Sequence, residues 1–102
     1  SETMQGRARL TAKAADAAHA GDSIRAGTVI RLSARLALGP RASIEEVADA
    51  ASDRLGVPRT SLYDLLGGPA PQSDHELIDL ARRLAELETA VENTVHIERN
   101  RP

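Results

Sequence analysis

Between Leu77 and Val95 the apolar residues fall at Leu77, Leu80, Ala81, Leu84, Leu87, Val91 and Val95. Steps of three and four place them on one side of an α-helix, while a strand would scatter them over both faces of a sheet. Ser73-Asp74-His75-Glu76 precedes the pattern as a capping box, with Ser at the N-cap and Glu three residues on. The spacing predicts a long amphipathic C-terminal helix of ~20 residues whose seam resembles a coiled coil and could pair two copies as a homodimer.

The residues available for a core narrow the fold further. The chain of 102 residues has one Tyr, one Met, no Phe, no Trp and no Cys. Disulfides, thiolate metal sites and thiol chemistry are excluded. Leu, Ile, Val and many Ala must make the core, and Ala and Leu are the strongest helix formers. The expectation is an all-α, compact bundle of four to five helices.

Upstream, residues 2–20 read as a thin-striped, Ala-rich helix. Gly21-Asp22-Ser23 reads as a stop and a new cap, with a second helix over 23–38 ended by Gly39-Pro40. Ser43-Ile44-Glu45-Glu46 is another capping box, opening a helix that buries Ile44, Val47, Ala48, Ala51 and Leu55. Gly56 ends it, Pro58 suits the first turn of a short helix through Leu66, and Gly67-Gly68-Pro69-Ala70-Pro71 is a stiff connector. The domain reading is a basic, juxtamembrane-like helix over 1–21, a helical domain over 22–97 and a frayed tail over 98–102. Leu62, Leu65, Leu80 and Leu84 are expected to pack with Leu32, Leu36 and Val47.

The segment 43–66 has the frame of a helix-turn-helix, which makes a small DNA-binding regulator the alternative function. Its charge is wrong for that role. From Ser43 to Gly67 two Arg stand against five acidic residues, and Asp64 would sit on the reading helix. The expected reading is therefore a helical corner without nucleic acid. His19, His75 and His96 lack metal-ligand spacing, and no nucleophile elbow or phosphate loop occurs. No enzyme, metal or cofactor is expected.

Net charge is uneven. Residues 1–42 hold seven Lys/Arg and three Asp/Glu, and residues 43–102 hold six and twelve. A basic start on an acidic body suits a segment next to a membrane, with Arg7, Arg9 and Lys13 at anionic headgroups.

The ordered strings "SETMQGRARL", "RLAL" at 35–38, "VADAASDRLGVP" at 47–58 and "LLGGPAPQSDHELIDLARRLAELE" at 65–88 resemble the C-terminal cytoplasmic tail of an actinobacterial membrane-protein family of unknown function. Gly68 departs from that pattern, which has a Tyr-Gly pair at 67–68. Members are typically encoded beside a MoxR-type AAA+ ATPase. The resemblance implies a non-enzymatic interaction domain on the cytoplasmic side of the cell membrane, part of a longer protein, with the ATPase as a protein partner. Arg59, Thr60 and Tyr63, with Pro69 and Pro71 of the connector, are the expected partner-binding residues, since Arg and Tyr favour interface centres.

Overall fold

The computed structural model describes residues 2–99, with side chains described for 6–98. Ser1 and residues 100–102 of the tail expected to fray over 98–102 lie outside the described residues, as does the side chain of Met4, while residues 98 and 99 of that tail continue the last helix. The described residues form four helices: α1 (Glu2–Arg35), α2 (Ile44–Leu55), α3 (Arg59–Gly67) and α4 (Asp74–Arg99). They make an all-helical bundle, with α4 as the long C-terminal helix.

α4 lies along α1, and α2 with α3 closes the bundle as a corner. The core is Leu32, Leu36, Val47, Ala48, Ala51, Leu62, Leu65, Leu66, Leu80, Leu84, Leu87 and Val91. All seven residues expected to pack together are in it. The seam of α4 is thereby buried inside its own molecule. A homodimer through that seam would have to expose Leu84, now 2 % accessible, so α4 has only its outer face to offer. Ile44 departs from expectation in a smaller way: it sits at the rim, 36 % exposed.

The largest correction concerns α1. It runs unbroken for 34 residues through Gly21, Asp22 and Ser23, so the expected stop and new cap are not there. Gly21 has a different duty. A Cβ at this position would lie 2.6 Å from Cδ of Pro71, closer than carbon atoms approach. The connector between α3 and α4 therefore presses on α1 where α1 has no side chain, and Pro71 is buried there. Glycine weakens a helix by about 1 kcal/mol relative to Ala, yet overpacking against a rigid ring costs about 1–3 kcal/mol, so close approach decides the residue.

The end of α1 also differs from expectation. The left-handed residue is Ala37, at φ 57°. The amide of Leu38 donates to the Ser33 carbonyl at 2.9 Å, and that of Ala37 to Ala34 at 3.2 Å. This is a Schellman-type closure built on alanine. Gly39, at φ 88°, turns the chain afterwards toward α2.

α2 opens as its sequence demands. Ser43 Oγ accepts from the Glu46 amide at 3.1 Å, and the Ser43 amide donates to Glu46 Oε1 at 3.2 Å. Gly56, at φ 68°, closes it with its amide on the Ser52 carbonyl. Ser73 caps α4, accepting from the Glu76 amide at 3.1 Å.

The bundle covers only part of α1. Ala17, 2 % exposed, is its first core residue. Residues 6–16 are exposed except for half-buried Ala14. They form an arm that projects from the head. The molecule measures 69 × 23 × 20 Å with a radius of gyration of 16.6 Å, against about 13 Å for a compact chain of this length.

Candidate interaction surfaces

The outer face of the α2–α3 corner carries Arg59, Thr60 and Tyr63. Pro58 fixes the entry to α3, and Arg59 and Thr60 in its first turn are exposed. The Arg59 guanidinium lies over the Tyr63 ring, 4.8 Å from its centroid, and its Nε donates to the Tyr63 hydroxyl at 2.9 Å. Arg59 also forms an ion pair with Asp49 of α2. The i, i+4 spacing of Arg59 and Tyr63 allows the stacking, and Asp49 ties the cluster to the neighbouring helix. Arg54, at the end of α2, donates to Glu98 of α4 at 2.8 Å. Both cations of the corner are thus held by carboxylates of the same chain.

Pro69 is exposed and lines an open groove of about 490 Å³ with Arg25, Asp64, His75, Asp79 and Arg83. α3 has nine residues, about 13 Å of helix, and separates Arg59 at its start from Pro69 beyond its end. The structure brings Arg59, Thr60 and Tyr63 together and puts Pro69 on a second surface, whose groove buried Pro71 also lines from its place against Gly21. Arg7, Arg9 and Lys13 all stand exposed on the arm.

Two polar constellations were not visible in the sequence pattern. Arg25 of α1 is only 9 % exposed. Its Nε donates to the Leu65 carbonyl at 3.0 Å and its terminal nitrogens to Gly68 at 2.8 Å and Asp64 at 3.3 Å. These carbonyls lie at the end of α3 and its cap: that of Asp64 also accepts from the Gly68 amide at 2.8 Å, and Arg25 is the partner of those of Leu65 and Gly68. Arg25 caps them from another helix. Its spacing with Thr28, Leu32 and Leu36 put it on the core face of α1, which was the available signal. Gly68 belongs to the same device, because a Cβ there would sit 2.3 Å from the Asp64 carbonyl oxygen. Gly68 is therefore what this turn requires.

The second constellation joins α1 to α4. Glu88 accepts from Thr28 Oγ1 at 2.9 Å and from Arg31 at 2.6 and 3.0 Å. Arg35 reaches the Glu88 carbonyl at 3.3 Å and Glu92 at 3.1 Å. The Arg31 hydrogen bond, opposed by partial burial and aided by Thr28, holds the Glu88 carboxyl below the ordinary glutamate range. Glu88 is the polar clasp of the helix pair, and its partners Thr28, Arg31 and Arg35 recur at helical spacing on α1.

Among the described residues no three His, Cys, Asp or Glu are grouped to hold a metal ion. His19 and His75 are exposed and far apart in the chain. No helix among the described residues is long and apolar enough to cross a membrane. Comparison with known proteins finds no matching family model, no matching curated relative and no matching solved structure.

Proposed function

We propose that this chain is a non-enzymatic interaction module that works at a membrane surface. The arm of α1 lies against anionic headgroups, and the head presents a protein-docking face. The observation that carries the reading is the division of α1. One continuous helix joins an exposed segment bearing Arg7, Arg9 and Lys13 to a head whose remaining surface is acidic. Basic side chains near an anionic membrane contribute about 1 kcal/mol each, enough for weak, reversible attraction. The docking face is the Arg59, Thr60 and Tyr63 end of α3, with Pro69 as a second contact. Arg59 and Tyr63 are pre-ordered by stacking, which lowers the entropy lost on binding. The resemblance to a membrane-protein tail supplies the setting, the cytoplasmic side of the cell membrane within a longer protein, and a MoxR-type AAA+ ATPase as the protein partner.

Co-sedimentation tests this reading. The chain is expected to be retained by phosphatidylserine vesicles and not by phosphatidylcholine vesicles. Retention should vanish at about 1 M salt, where the Debye length is about 3 Å, and in the triple variant Arg7→Glu, Arg9→Glu, Lys13→Glu. Equal retention on both vesicle types would remove the electrostatic basis.

The α2–α3 frame supports a second reading, a small DNA-binding regulator. Magnitude weighs against it. Useful affinity for duplex DNA comes largely from neutralising phosphates, about six to ten of them. The corner offers Arg54 and Arg59, each already paired with a carboxylate.

A further inference from the structure

The side of α1 facing away from the head is open from Ala8 to Ala34, with exposed Asp16 and Ser23 at its edge. In the head half it carries Ala26, Ile30 and Ala34, all exposed, with Ile30 at 70 %. Here the loop after α1 adds a wall. Ile30, Val29 and Ala34 form an apolar groove with Pro40 and Ala42, continued past Ile44. In the arm half the same side carries Ala8, Ala12 and Ala15, exposed and with no head packed behind them. Between the halves stand His19 and Asp22, also exposed.

We infer that the groove receives the arm of a second copy, giving an antiparallel two-fold dimer through α1. A two-fold interface requires a surface that complements itself when reversed, and this one does. A single antiparallel register sets Ala8 opposite Ala34, Ala12 opposite Ile30, Ala15 opposite Ala26 and His19 opposite Asp22. Each pairing occurs twice across the axis. The bulky member of the set, Ile30, meets an alanine, so the helices approach closely without overpacking. The centre is complementary in hydrogen bonding, an imidazole N–H donor beside a carboxylate acceptor in both copies. The lengths agree as well: Ala8–Ala15 and Ala26–Ala34 each span about 10–12 Å at 1.5 Å per residue. In this register Lys13 comes level with Val29 of the second copy, and the nearby Arg31 already has its charge met by Glu88.

A second copy fits this face better than an unrelated helix would, because the arm has no other cover and repeats the groove's pattern in reverse. The heads lie behind the two α1 helices and do not meet across the interface. The axis stands perpendicular to the helix pair, so Arg9 and Lys13 of both arms emerge on the same side. The dimer is thus compatible with the proposed membrane role, and it does not depend on it.

The absence of cysteine makes the test direct. Single variants Ala15→Cys and Ala26→Cys of the 102-residue chain are oxidised separately and as a mixture. The expected result is a mixed disulfide between the two variants, well in excess of either homodisulfide. Homodisulfides in each separate sample, without enrichment of the mixed species, would mean parallel pairing and overturn the inference. Sedimentation equilibrium adds a second reading. The unmodified chain is expected to dimerise, and Ile30→Glu to weaken dimerisation at least about tenfold, or about 1.4 kcal/mol, with an unchanged helical spectrum. A wild-type chain that stays monomeric up to its solubility limit, or an Ile30→Glu variant that dimerises equally well, would also overturn it.

Discussion

Leu84→Ala is expected to lower the stability of the head by about 2–5 kcal/mol, the range for deleting a buried leucine side chain. Leu84 is 2 % exposed and lies in the cluster that joins all four helices. That cluster has no Phe or Trp to make up the lost area. Small domains have total stabilities of about 5–15 kcal/mol, so one truncation removes a large share. The melting temperature should fall by at least about 10 °C. A melt within about 2 °C of the wild type would mean that α4 does not close the core as described.

Arg25→Met is the second large effect. Methionine keeps the apolar stem and removes the five donors of the guanidinium. The carbonyls of Leu65 and Gly68 at the end of α3 then lose their side-chain partner, and that of Asp64 keeps only the Gly68 amide. A buried polar group without a hydrogen bond costs about 1–3 kcal/mol, and the partly buried members of this set regain water. The expected net loss is about 3 kcal/mol, read by urea denaturation, with faster amide exchange concentrated in α3. Arg25→Lys should recover only part of it, because one ammonium cannot span three carbonyls in the geometry of a planar fork. Stability equal to the wild type in Arg25→Met would show that the α3 end is capped by solvent.

Elements governed by local chemistry are legible in the amino-acid sequence itself. The capping box at Ser43, the Ser73 cap, the left-handed Gly56 and the leucine spacing of α4 each act within a few residues and appear where the sequence places them; of the box expected at Ser73, the bond from the Glu76 amide to Ser73 Oγ is formed. What is not legible depends on contacts across the chain. Gly21 carries the same local signal whether it ends a helix or admits a proline ring, and only the arrival of Pro71 distinguishes the two. The left-handed position after α1 falls on Ala37 although Gly39 is two residues away, because the last turn of α1 closes before the glycine is reached. Spacing puts Arg25 on the core face of α1, but neither Arg25 nor Glu88 carries a local sign of its distant partner. One becomes the cap of a helix 40 residues distant and the other a clasp between α1 and α4. On the candidate surfaces, the basic arm is readable from charge alone. The separation of Pro69 from Arg59, and the burial of Pro71, follow from how the connector folds back on α1.

The account rests on the α2–α3 corner being a packing device with a protein-docking face and not a reading head. Fluorescence anisotropy of labelled duplexes, random and genomic, titrated with the 102-residue chain at about 150 mM salt decides this, since that concentration leaves only affinity built on several phosphate contacts. The expected result is no submicromolar binding, and no change with Arg59→Glu, because Asp49 already holds that charge. Submicromolar binding that disappears in Arg59→Glu would contradict the account and make the corner a DNA-binding helix-turn-helix.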